Sequence, residues 1–258
     1  MLLAAFLDAG LPLERLKQGL SMLPVEGYEL KLMPFSDYGI TGSRFEVLLA
    51  EQEQPARSFT TIAALLQSSS LSNTIIDRAI AIFRTLGEAE AVIHGVALDE
   101  IHFHEVGAVD AIVDIVGAVI ALDALGIVQL YASPLPLTRG HLRMAHGLMP
   151  IPAPATLEIL SKVKAPWLPC PLEGELVTPT GAAILATLAS FTTPAIAIDR
   201  VGYGFGKKHV IWPNCVRACI GEAYGYISSD DESEHDYDVH RHYEHNHSYA
   251  HNRGTTVC

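Results

Sequence analysis

Two histidines and three carboxylates fall within the thirteen residues from His102 to Asp114, in the segment Ile101-His-Phe-His-Glu-Val-Gly-Ala-Val-Asp-Ala-Ile-Val-Asp-Ile-Val-Gly117. If 101–105 is extended, His102 and His104 point to one face, and Glu105 follows directly. In the helix expected next, Asp110 and Asp114 lie one turn apart and share a face with Gly117 and Ala121. The rest of that helix is Val, Ile, Leu and Ala almost all round, so it is expected to be buried. Each unpaired carboxylate on such a helix costs several kcal/mol, and a cationic group should offset the pair. Imidazole and carboxylate together suit first-row divalent ions such as Ni, Zn, Mn and Fe, and the affinity order among these leaves the choice open. A plainer alternative stands beside it: His102 and His104 bond backbone groups, Asp110 caps the helix and Asp114 pairs with an arginine. An H-E-x-x-H zinc site is excluded, because Ala108 stands where its second histidine would be. Glu105 and Asp110 are the candidates for a general base on a metal-bound water, which would make the protein a metal-dependent hydrolase.

Three further segments carry polar groups. Arg139, His141, Arg143 and His146 follow the Ser133-Pro-Leu-Pro136 strand end in what reads as a short polar loop. Arg139 and Arg143 are suited to a phosphate or carboxylate on a small substrate. Thr178 and Thr180 open a helix after Glu173-Gly-Glu-Leu-Val, where free N–H groups and hydroxyls could receive an anion. Simple capping by Thr178, with Pro179 in the first turn, explains the same residues. Gly202-Tyr-Gly-Phe-Gly-Lys-Lys208 has the wrong glycine spacing for a P-loop and no Ser or Thr after the lysine. Its glycines are expected to form a turn that allows close approach to a ligand or another strand. Cys215 and Cys219 share a strand face without a neighbouring ligand set and read as core.

The elements that must position these groups follow from periodicity. Residues 2–23 show helical spacing broken at Gly10-Leu-Pro12, so the chain opens inside a helix with no cap. Residues 28–34 and 44–50 alternate as strands, 51–58 form a polar connector, and 59–94 read as two helices with a cap in 68–73. Further helices are expected at 107–125, 152–163 and 181–191, and strands at 128–136, 195–201 and 215–221. This interleaving predicts an α/β or α+β fold, a mixed sheet with packed helices. After Gly225 the composition turns acidic, and six of the twelve histidines fall between 235 and 251. Residues 1–225 are therefore read as one domain, and 226–258 as a disordered, acidic, His-rich tail able to bind divalent metal.

The chain carries 17 Lys+Arg against 29 Asp+Glu, a formal charge of −12, and its longest basic cluster is Lys207-Lys208. Nucleic acid is thereby excluded as a partner. Ile115–Leu122 is far short of a membrane span, and Met1–Asp8 lacks the basic region of a secretory signal. Four scattered cysteines fit a reducing compartment, so a cytoplasmic protein is expected. These residues leave the oligomeric state open, a homo-oligomer included.

His102–Gly117, Tyr131-Ala-Ser-Pro-Leu-Pro-Leu137, Ala145-His-Gly-Leu-Met-Pro-Ile-Pro-Ala-Pro-Ala-Thr156, Gly174-Glu-Leu-Val-Thr-Pro-Thr-Gly-Ala-Ala183 and Gly202-Tyr-Gly-Phe-Gly206, in this order, resemble the LarC family of nickel-insertion proteins. The resemblance runs from about residue 1 to about 223. It implies insertion of Ni²⁺ into pyridinium-3,5-bisthiocarboxylic acid mononucleotide, with CTP, to make the nickel-pincer cofactor of lactate racemase and related enzymes, a nickel chelatase of the lyase class. On that basis His102, His104, Glu105, Asp110 and Asp114 hold or position the metal, with Glu105 and Asp110 as catalytic groups. Arg139, Arg143, His146, Thr178 and Thr180 receive the nucleotide-like substrate, and a carrier site without thiolates can surrender nickel to the substrate's softer sulfurs. Relatives open with a strand and a glycine-rich turn ahead of the segment matching residues 2–10, which implies a sheet strand missing here. The His-rich insert that many relatives carry before the segment matching 58–65 is replaced by Glu51–Arg57. The C-terminal region to which CTP binding belongs is missing beyond about 225, which implies a separate C-terminal half or an incomplete product. Against this enzyme reading stands a non-enzymatic nickel storage or chaperone protein, suggested by the histidine-rich tail.

Overall fold

Apolar residues at helical spacing bury Leu3 to Leu7 of the first helix, α1 (Leu2–Asp8), and the chain breaks at Gly10, with φ of 103°, before α2 (Leu13–Leu20). The computed structural model describes residues 1–50, 57–103, 109–144, 147–224 and 255–257. Strands β1 (Tyr28–Asp37) and β2 (Ile40–Leu49) pair in full register across a two-residue turn. Tyr38 and Gly39 there take φ of 48° and 79°, the positive values that match the turn to strand twist.

A short β3 (Arg57–Ser58) leads into α3 (Phe59–Gln67), where Ser58 accepts from the Thr61 amide. Ser72 caps α4 (Asn73–His94), which ends on Gly95 in the left-handed region. After a 3₁₀ turn at Leu98–Glu100, β4 (His102–Phe103) pairs with β3. Helix α5 (Val109–Ala124) is buried almost all round, as its composition predicts. Then come β5 (Ile127–Tyr131), β6 (Leu135–Arg139), β7 (His141–Met144), β8 (Gly147–Pro150), α6 (Pro154–Lys162), β9 (Trp167–Glu173), α7 (Pro179–Leu188), β10 (Ala189–Ser190), β11 (Ile196–Phe205), β12 (Cys215–Ala223) and β13 (Thr255–Val257).

Seven strands form one mixed sheet in the order β1-β2-β11-β12-β13-β5-β10, and β3-β4, β6-β9 and β7-β8 pair separately. The helices pack with it around one continuous core that runs from Leu3 through Phe83 and Ile112 to Ile220. The fold is the expected mixed sheet with packed helices.

Several details differ from the sequence reading. The strand expected at 128–136 is two strands in different sheets. The break falls at Ala132-Ser133-Pro134, where Pro134 has no N–H to continue a ladder. The polar loop after Arg139 contains the antiparallel pair β7 and β8, and β9 was not expected. The glycines at 202 and 204 form no turn: they lie within β11, and their close partner is a helix. A Cβ on Gly202 would strike the Ala5 carbonyl and the Ala9 amide, and one on Gly204 would strike the Met1 carbonyl and the Ala5 amide, so α1 rests its backbone directly on the strand. The tail expected to be disordered returns at Thr255–Val257 as a strand between β12 and β5. The rest of it lies outside the described residues.

Strands β2 and β11 share only the Gly204–Ser43 pairing. Asp8, the last residue of α1, reinforces the junction: its carboxylate accepts from the Tyr203 amide at 2.8 Å and from the Ser43 hydroxyl at 2.9 Å.

Candidate functional site

On α5 every residue from Ala111 to Val113 and from Ile115 to Leu122 is buried, whereas Asp110 and Asp114 are exposed. Between Val109 and Leu122 the two acids are thus the wet positions of an otherwise dry helix. Asp110 accepts from the Ala111 amide at 2.8 Å. Water reaches Asp114, yet protein crowds its carboxyl closely enough that desolvation raises its pKa from 3.8 to about 6. The Asp110 charge pushes the same way, while the Met1 amine and Lys207 oppose it. The Met1 amine is itself held below its usual value by burial, against the field of Asp114. Among the described residues the side chain whose positive charge favours ionised Asp114 is Lys207, and no arginine does so.

Of the expected imidazole ligands, His102 is exposed on β4 with its Nδ1 at 3.1 Å from the Glu100 carbonyl, the backbone contact of the plainer reading. His104, Glu105 and His146 lie outside the described residues. Among the described residues no group of three or more His, Cys, Asp or Glu side chains is arranged to hold a metal ion. What the structure brings together is the Asp110–Asp114 pair.

Arg139 ends β6 opposite Glu173 of β9, and its carbonyl accepts from the Gly174 amide at 3.0 Å. Arg143 is exposed on β7, in register with Leu148. Thr178 accepts from the Gly181 amide at 3.2 Å, which is a simple N-cap, and Thr180 is half-buried in the first turn of α7.

The residues that sequence reasoning missed are Lys207 and Lys208. Lys208 donates to the Glu175 carbonyl at 2.6 Å, one residue from the Gly174–Arg139 bond, while Lys207 lies 3.8 Å from Glu46 and bears on Asp114. The loop 206–214 is thereby tied to Glu46 of β2 and to the segment that runs into α7. The signal in the sequence is the longest basic cluster in the chain, directly after the alternating glycines. The cysteines at 170, 215 and 219 are free and half-buried; burial, first of all, raises the Cys215 thiol.

A family model described as nickel insertion protein matches residues 1–247. A relative from Thermomicrobium roseum is 48% identical over 91% of this chain and 58% of its own length. One from Roseiflexus castenholzii is 48% identical over 86% and 56%, and one from Citrifermentans bemidjiense 46% over 86% and 58%. All three are named for nickel insertion, and the chain spans less than two thirds of each. No solved structure matches it. With five ordered motifs, a family match over nearly the whole sequence and relatives of 46–48% identity, the chain belongs to the nickel insertion protein family.

Proposed function

We propose that this chain presents Ni²⁺, as cargo, to pyridinium-3,5-bisthiocarboxylic acid mononucleotide during nickel-pincer cofactor synthesis, as a nickel chelatase whose products serve downstream nickel-pincer enzymes. The observation that carries this reading is the Asp110–Asp114 pair, two exposed carboxylates on the first two turns of a helix otherwise buried through Leu122, in a chain of this family. Oxygen ligands bind nickel less firmly than thiolates do, so the ion can pass to the sulfurs of the substrate. His102, His104 and Glu105 would complete the ligand set from the segment just before α5. Arg139, Arg143, His146, Thr178 and Thr180 would receive the anionic substrate, and CTP would act through a separate C-terminal half.

Isothermal titration of the full chain with Ni²⁺ tests the metal assignment. Asp110→Asn and Asp114→Asn are each expected to weaken binding by roughly tenfold or more, as loss of an oxygen ligand or its support does. Equal affinity in wild type and double variant would overturn it. The histidine-rich stretch favours a second reading, a nickel store or chaperone. Removing residues 229–254 while keeping 255–258 separates the two, because the storage reading requires nearly all nickel binding to vanish.

A further inference from the structure

The connection between β11 and β12 is longer than a hairpin needs, and its composition is unlike the rest of the surface. Lys207-Lys-His-Val-Ile-Trp212 combines the chain's longest basic cluster with apolar residues left in water: Ile211 is 71% and Trp212 39% exposed. The base of the loop is fixed. Gly206 donates to the Asn214 carbonyl at 2.9 Å, and the Asn214 side chain donates back to the Lys208 carbonyl at 3.0 Å. Arg44, stacked 3.6 Å from the Phe35 ring centroid, donates to the Gly206 carbonyl at 3.0 Å.

The outer part of the loop is tied to the other hairpin. Tyr38, 63% exposed at the β1–β2 turn, donates its hydroxyl to the Val210 carbonyl at 3.2 Å. Two hairpin ends thus present a tyrosine, a tryptophan and an isoleucine to solvent beside two lysines. No packing requirement of the fold explains that exposure, and water-facing aromatic groups beside cations are what a flat anionic ring recognises. Lys208 leans on the segment that leads to Thr178, and Lys207 lies 3.8 Å from Glu46.

We infer that loop 206–214, with Tyr38, is the recognition loop for an anionic aromatic mononucleotide, its ring resting on Trp212 and Tyr38 and its negative groups meeting Lys207 and Lys208. The inference rests on the proposed function, which supplies the substrate class, and it adds the residues that choose it. In a chain of net charge −12, two adjacent lysines are a natural landing point for a phosphate.

Tryptophan fluorescence tests it, because the sequence holds two tryptophans and Trp167 can be replaced. In full-length Trp167→Phe protein, emission reports Trp212. The probe is nicotinate mononucleotide, a pyridinium ring that bears a carboxylate and a phosphate and quenches indole on contact. Saturable quenching is expected, with Lys207→Gln and Lys208→Gln each weakening the affinity roughly tenfold and Lys162→Gln leaving it unchanged. Tyr38→Leu, at the other hairpin, should weaken it by several-fold through lost stacking. Quenching linear in probe concentration, or an affinity unmoved in the double lysine variant, would overturn the inference. Nickel titration of the same sample keeps the two proposals apart: nickel bound without saturable quenching sinks only the loop, and quenching without nickel sinks only the metal reading.

Discussion

At the level of single residues, Asp114 offers the sharpest test of the site independent of any metal. Its pKa is raised from 3.8 to about 6, first by desolvation. Charging it therefore opposes folding: the favourable contribution of its neutral form is complete below about pH 4 and is lost as the pH rises through about 6. Asp114→Asn should stabilise the chain at pH 7.5 by about 1 kcal/mol, a shift discounted for the water that reaches the group, and the gain should fade toward pH 4. Urea unfolding at the two pH values measures this, and a destabilised variant at pH 7.5 would show that Asp114 is a structural partner instead. The spacing of Asp110 and Asp114 was legible from the 3.6-residue repeat alone. The lysine whose charge bears on Asp114 was not, because Lys207 lies far away in sequence and the packing of β11 against α1 is a tertiary contact.

Among the elements, the contact of α1 with β11 decides where the recognition loop sits. Alternating glycines remove side chains from one face of the strand, and the helix backbone fills the space. Gly204→Ala places a methyl on the Met1 carbonyl and Ala5 amide, with backbone on both sides and nothing flexible to yield. A loss of about 3 kcal/mol or more in urea unfolding is expected. Gly39→Ala, at φ of 79° with open space around it, should cost only about 1 kcal/mol. Similar losses at both positions would mean that α1 simply tilts away. Periodicity located both elements within a few residues, but it marked the glycines only as a place of close approach. Which partner came close was a tertiary matter.

Across the whole molecule, the central sheet depends on a strand from the far end of the chain. β13 bonds antiparallel to β12 and parallel to β5, and these two strands have no pairing with each other. Without it the sheet would part into β1-β2-β11-β12 and β5-β10. Thr256→Pro removes one N–H from the middle of this ladder and should lower stability by about 2 kcal/mol, a fall in Tm of roughly 4–8 °C by calorimetry. An unchanged Tm would show that the helices alone hold the two parts together. No helix among the described residues is long and apolar enough to cross a membrane, in keeping with the short apolar run at Ile115–Leu122.

Local chemistry is what the amino-acid order determined by itself. Apolar spacing placed most helices and strands, the serine-rich stretch 68–73 marked the cap that Ser72 supplies, the buried composition of α5 made its two aspartates conspicuous, and five ordered motifs identified the family. The tertiary structure alone decided which distant groups share space: Lys207 near Glu46, Lys208 on Glu175, Asp8 across two strands and Thr255–Val257 between β12 and β5. The reason is physical. Periodicity reports which side of an element avoids water, whereas an ion pair or a strand pairing between remote segments depends on how those elements are arranged, and no local pattern records that.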